Sequence, residues 1–142
     1  MRVDTVTDFD YFSEEPGVTV EEVARRLSHI PRHLGRTREH LSVAQHSIFV
    51  ESLIERFGGT RSQRLAGLLH DAHEAFLGDI ATPCQEWIRA LNGGHDILAI
   101  VKDVLDRRVI PQLGGVYPLS HEDAFIVKAA DVVALVQEAR SG

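Results

Sequence analysis

Apolar residues in this chain recur at three- and four-residue intervals and almost never alternate. That pattern constrains the fold more than anything else in the sequence, because a half-buried strand needs a period of two and a helix needs one of 3.6. An all-α helical bundle of about six helices follows. Thr19 with Glu22 reads as a capping box opening a helix through about Ser28. Ser42 with Gln45 repeats the signal for a helix running to Phe57, where two glycines supply the stop. A third helix is predicted from Ser62 to about Phe76, followed by a loop from Gly78 to Pro83. A fourth is predicted over Gln85–Leu91 and the next from about Asp96 to Val109, before Pro111. Ser120 with Asp123 opens the last, through Ala139.

No repeat, low-complexity tract or linker divides the 142 residues, so a single domain spanning residues 1–142 is expected. The net charge of −6 argues against a protein that grips duplex nucleic acid, which takes a concentrated basic surface, but leaves room for a small phosphorylated substrate. Cys84 is the only cysteine; it is expected as a small buried apolar residue, and no disulfide framework exists. The N-terminal "MRVDTVTDFDYFSEEP" has no apolar stretch of signal-peptide length, and no run approaches the roughly 20 apolar residues of a membrane span. A cytoplasmic protein of a bacterium, or of a virus that grows in one, without a membrane partner, is the expectation.

The polar residues of "LLHDAHEAFLGDIATP" carry the chemistry. On a regular helix with His70 at zero and about 100° per residue, Glu74 falls near 40° and Asp71 near 100°, opposite an apolar arc that includes Leu65, Leu69, Ala72 and Phe76. Gly67 lies between them on that wheel, leaving room for a close approach to the backbone. Taken alone, such a trio is often a solvated face. Two other helices weigh against that. His46 sits within the apolar stripe of Val43, Val50, Leu53 and Phe57, and Asp131 is the one acid of "AFIVKAADVVALV", which is apolar almost all round and is expected to be buried. A buried carboxylate needs a partner. Lys128, three residues earlier, is one candidate; a metal ion shared with His46, His70 and Asp71 is the other. Two imidazoles and two carboxylates suit a divalent ion such as Mn²⁺, Co²⁺, Fe²⁺, Zn²⁺ or Mg²⁺.

The order His46, His70-Asp71, Asp131 resembles the H…HD…D signature of the HD-domain metal-dependent phosphohydrolases. "SVAQHS", "LLHDAHEAFLGDIATP" and "VKAAD" resemble the branch of bacterial 5′-deoxynucleotidases and phage deoxynucleoside triphosphate hydrolases, over roughly Thr19 to Arg140. The resemblance implies an HD-domain helical bundle and one divalent metal ion on those four residues. It further implies Glu74 activating water, Asp79 supporting the catalytic centre, and a homo-oligomer. The branch places an arginine, often beside an aromatic residue, before the first metal histidine. Here "SHIPRHLGRTREH" has His29 and Ile30 near that position, and Arg32, then Arg36, are the choices for phosphate contact.

The expected reaction is metal-dependent hydrolysis of a nucleotide at its 5′-phosphate, releasing a nucleoside plus phosphate or polyphosphate, with Lys128 or Arg32 neutralising phosphate charge. An HD phosphodiesterase or alarmone hydrolase acting on a signalling nucleotide ranks second, and a catalytically inactive nucleotide-sensing module third. His73, near 300° on the same wheel at about 100° per residue, is expected as a helix-surface bystander. His95 and His121 are expected on the surface and Trp87 in a core or interface; His33 and His40 stay open.

Overall fold

The computed structural model of the chain describes residues 9–13 and 17–141. The leading residues of the N-terminal segment, 1–8, and the Glu-Glu-Pro that closes it, 14–16, lie outside the described residues. What is described is all-helical: α1 (Val20–His29), α2 (Val43–Arg56), α3 (Arg61–Leu69), the four-residue α4 (Glu74–Leu77), α5 (Thr82–Leu91), α6 (Ile97–Val109) and α7 (His121–Ser141). Six of these have nine or more residues, as the periodicity predicts.

The caps explain the starts. Ser42 accepts from the Gln45 backbone while the Gln45 side chain accepts from the Ser42 N–H. The same reciprocal box is built by Thr60 and Gln63 at the head of α3, which starts at Arg61, one residue before the expected Ser62. Thr19 caps α1, and α5 starts at Thr82 with Pro83 in its first turn, where the missing N–H costs nothing.

Two buried clusters fill the interior. One joins Val23 and Leu27 of α1, Val43 of α2, Ala72 and Ala75, and Leu105 and Val109 of α6. The other joins Val50, Leu53 and Ile54 of α2 to Val127, Ala130 and Ala134 of α7. Helix α2 belongs to both, and His46 lies on it between Val43 and Val50. Gly67 is where α3 approaches α2: a Cβ there would stand 2.4 Å from Ile54 Cδ1 and 3.3 Å from Val50 Cγ1. Its bareness therefore serves helix packing, which corrects the expectation that it leaves space beside the polar trio.

Two further corrections bear on the site. The third helix is not continuous to Phe76. After Leu69 the backbone tightens into i→i+3 bonds, with Glu74 N–H donating to Asp71 O at 2.9 Å and Phe76 N–H to His73 O at 3.0 Å. At three residues per turn each step rotates by about 120° instead of 100°, so His73 comes round under His70 instead of sitting on the flank. Secondly, α7 is not buried all round. Only the stripe Val127, Ala130, Ala134 is covered, whereas Phe125 (77% exposed), Val132, Val133, Leu135 and Val136 face outward. The helix lies against α2 and α3 on one side only, and apolar composition cannot say how many neighbours a helix has. Nor is Trp87 a core residue, being 63% exposed. Cys84 is only partly buried. No helix of the described residues is long and apolar enough to cross a membrane.

Candidate metal centre

Three segments bring their polar groups to the junction of the two clusters: α2 supplies His46, the tightened turn after α3 supplies His70 and Asp71, and α7 supplies Asp131. His46 Nε2 is 2.9 Å from Asp131 Oδ1 and 3.6 Å from Asp71 Oδ2. His70 Nε2 is 3.0 Å from Asp71 Oδ2 and 3.5 Å from Asp131 Oδ1. Atoms that share an ion at bonds of about 2.1 Å stand about 3.0 Å apart at neighbouring octahedral corners and about 3.4 Å apart at tetrahedral ones. The four spacings lie within about 0.2 Å of those values.

The other ring nitrogens are already occupied. His70 Nδ1 donates to the Gly67 carbonyl at 2.6 Å, and His46 Nδ1 donates to Glu138. Carbonyl and carboxylate oxygens only accept, so both rings carry their proton on Nδ1 and can turn an Nε2 lone pair into the cluster. His70 Nε2 is buried without a well-aligned hydrogen-bond partner, as is Glu74 Oε2. Such orphans are costly and ask for a ligand. His46, His70 and Asp131 also place ligand atoms within 4.8 Å of one another, as do Asp71, His73 and Glu74. The donor set fits a divalent cation, with the identity of the ion left open by mixed nitrogen and oxygen ligands.

The charges tell the same story. Burial lowers the affinity of His70 for a proton, but Asp71 and Asp131 outweigh it and push its pKa to about 10. Burial acts on His46 in the same sense and is again overcome, here by hydrogen bonds to Asp131 and Glu138, so its pKa is raised. Burial opposes ionisation of Asp71 and Asp131 too, yet the two imidazoles hold both carboxyls well below the usual range. Glu74 is the exception. Burial, then the Asp71 and Asp79 carboxylates, push it up to about 10. A cation among these groups would take over from the protons on the imidazoles and relieve Glu74.

A cleft of about 370 Å³ opens beside the cluster, lined by Asp71, Glu74, Asp79, Asp131, Arg32, His33, Arg36 and Lys128 among others. Every residue singled out in the sequence for metal, catalysis or phosphate thus lies at the cluster or on the cleft wall. Lys128 is exposed, and Asp131 is met by the two histidines; among the described residues no ion pair joins Asp131 to Lys128. Arg32 has its Nε on Glu138 at 3.1 Å. Arg38 and His40 border a separate cavity, and His33 joins the cleft. His95 and His121 are exposed, as expected.

Two site residues escape the sequence reading. His73 is no surface bystander: it is 7% exposed, lines the cleft, and its Nδ1 is 3.0 Å from Asp106 Oδ1 of α6. The tightened turn is the cause. Glu138 lies in the polar tail of α7, which reads as an ordinary wet helix end. Its spacing of seven residues from Asp131, two turns on the same face, is the signal that could have found it.

No protein-family model matches the chain. A protein of Rhodobacter capsulatus, described only as uncharacterized, is 37% identical to it over 128 residues, which take in 86% of this chain and 61% of the relative. The chain thus spans less than two thirds of that relative's length.

Proposed function

We propose that the chain is a divalent-metal-dependent phosphohydrolase of the HD type, acting on the 5′-phosphate of a nucleotide. One observation carries this reading: two imidazoles with their Nδ1 protons given away converge through Nε2 on two carboxylates, at spacings that suit a single ion, beside a cleft edged by cations.

His46, His70, Asp71 and Asp131 would hold the ion. Once bound, such an ion supplies Lewis acidity toward a phosphate oxygen and a lowered pKa for water. Glu74, one turn from His70 and on the cleft wall, accepts the proton of the attacking water. Its raised pKa belongs to the metal-free protein, in which nothing offsets the neighbouring carboxylates. Asp79, also on the wall, orients the water or assists the leaving group. Lys128, Arg36 and the terminal nitrogens of Arg32 offset phosphate charge. The homo-oligomer belongs to the same proposal, and a second copy would cover apolar side chains such as Phe125 and Val136 on α7.

The test is release of nucleoside from a panel of deoxynucleoside mono- and triphosphates with added Mn²⁺ or Co²⁺. Turnover that depends on the metal and disappears in Asp71→Ala supports the reading. Full turnover in that variant, or nucleotide binding with no turnover under any metal, sinks it.

A further inference from the structure

Helix α7 holds one imidazole at both ends. Asp131 meets His46 Nε2 at 2.9 Å, and Glu138, two turns later on the same face, accepts from His46 Nδ1. Only one of Glu138's oxygens serves that purpose. The other accepts from Arg32 Nε at 3.1 Å and lies 3.4 Å from His33 Nε2. The Glu138 side chain is almost completely buried, with Arg32 and the rings of His33 and His46 around it. The loop it grips is an unusual one: His33 (φ 55°) and Leu34 (φ 56°) both adopt the left-handed backbone region that non-glycine residues avoid. Such conformations persist only where surrounding contacts over-determine them. Besides Glu138, a bridge between Pro31 and Ser42 and a bond from Arg32 N–H to Leu41 O (2.7 Å) close this loop on itself.

We propose that Glu138 is a positioning residue that sets the arginine loop in register with the metal centre. One oxygen fixes His46 as the Nδ1–H form, aiming Nε2 at the ion. The other fixes Arg32 through Nε, leaving its terminal nitrogens at the cleft for the phosphate. A single carboxylate thereby sets the distance between the group that binds the metal and the group that binds the substrate. This rests on the metal-dependent reading above and adds a residue and a coupling to it.

The full chain with Glu138→Ala, Glu138→Gln and Arg32→Lys separates the possibilities. In metal-free, ¹⁵N-labelled protein, wild type is expected to show a protected low-field His46 Nδ1–H resonance that Glu138→Ala loses. Calorimetric Mn²⁺ affinity is expected to fall by about 10–100-fold in Glu138→Ala, as for other carboxylates that orient metal-bound histidines. Glu138→Gln keeps an acceptor oxygen and should recover part of that loss. Arg32→Lys should keep Mn²⁺ affinity while raising KM for the nucleotide with little change in kcat. A Glu138 contact that merely stabilises the fold would lower Tm and leave Mn²⁺ affinity alone. Folded Glu138→Ala with wild-type Mn²⁺ affinity therefore overturns the proposal. Wild type that binds none of Mn²⁺, Co²⁺ or Zn²⁺ overturns the metal reading itself; in that event, loss of the ring resonance in Glu138→Ala would mark the contact as structural only.

Discussion

His70 and His73 stand one tightened turn apart in the same segment, yet they keep different company. His70 gives its Nδ1 proton to the neutral Gly67 carbonyl and brings Nε2 up against Asp71 and Asp131. His73 spends Nδ1 on the Asp106 carboxylate of another helix and takes no part in the four-atom cluster around His46. Both are largely buried, and both lie near the Asp71 carboxylate. What separates them is the company of each ring: a backbone carbonyl on Nδ1 leaves His70 Nε2 for Asp71 and Asp131, whereas Asp106 ties His73 to α6.

The largest effects belong to the His70 side. His70→Ala and Asp71→Ala should abolish metal-dependent turnover and weaken Mn²⁺ binding by more than the about 10–100-fold that loss of an outer carboxylate costs. Titration calorimetry and turnover assays on the same preparations check both.

Glu74→Gln should lower kcat by about 10²–10⁴-fold, the range for losing a general base. The same change should raise the Tm of the metal-free protein near neutral pH, since it removes a buried carboxyl that resists ionisation. Loss of activity without a gain in Tm would mean that Glu74 is not under that strain.

The pH dependence carries opposite signs for two measurements. The folded pKa of His70 is raised from 6.5 to about 10, so its contribution is complete below 6.5 and is lost as pH rises through 10. Glu74 is raised from 4.5 to about 10, so its protonated form contributes below 4.5 and the benefit is likewise lost on the alkaline side. Asp71 and Asp131 are lowered, so their contributions are present above their ordinary value of 3.8 and are lost in acid, as pH falls through the depressed folded values. Between pH 6.5 and about 8.5, metal-free Tm should therefore fall while Mn²⁺ affinity rises, because the ion displaces protons from His46 and His70. Parallel slopes would contradict the shared site.

Smaller effects belong to the scaffold and to the His73 side. Gly67→Ala drives a methyl into Ile54, which is fully buried, and should cost about 1–3 kcal/mol in chemical denaturation. Asp106→Asn should cost about 1 kcal/mol of stability, the scale of one hydrogen bond, and leave Mn²⁺ affinity unchanged. A large loss of affinity there would move His73 into the metal centre.

Much of this was legible in the residues. Period and caps placed six helices, and His46 and Asp131 stood out as polar groups in apolar surroundings, whereas His70 and Asp71 taken alone looked like a wet helix face. The break after Leu69 was not legible, because no proline or glycine marks it; the chain tightens at residues that are individually good in a helix, and that tightening is what buries His73. The outward face of α7 was misread because Val132, Leu135 and Val136 look the same in sequence whether a neighbour covers them or not. Glu138 was hidden by its setting: beside Gln137 and Arg140 it looks like a solvated terminus, and only the fold shows that Arg32 and His46 surround it.

Anomalous diffraction from crystals grown with Mn²⁺ tests the four-residue site most directly. One strong peak is expected, about 2.0–2.2 Å from His46 Nε2, His70 Nε2 and one oxygen each of Asp71 and Asp131. A protein that takes up no Mn²⁺, or a peak held by Asp71, His73 and Glu74 with His46 left out, would contradict it.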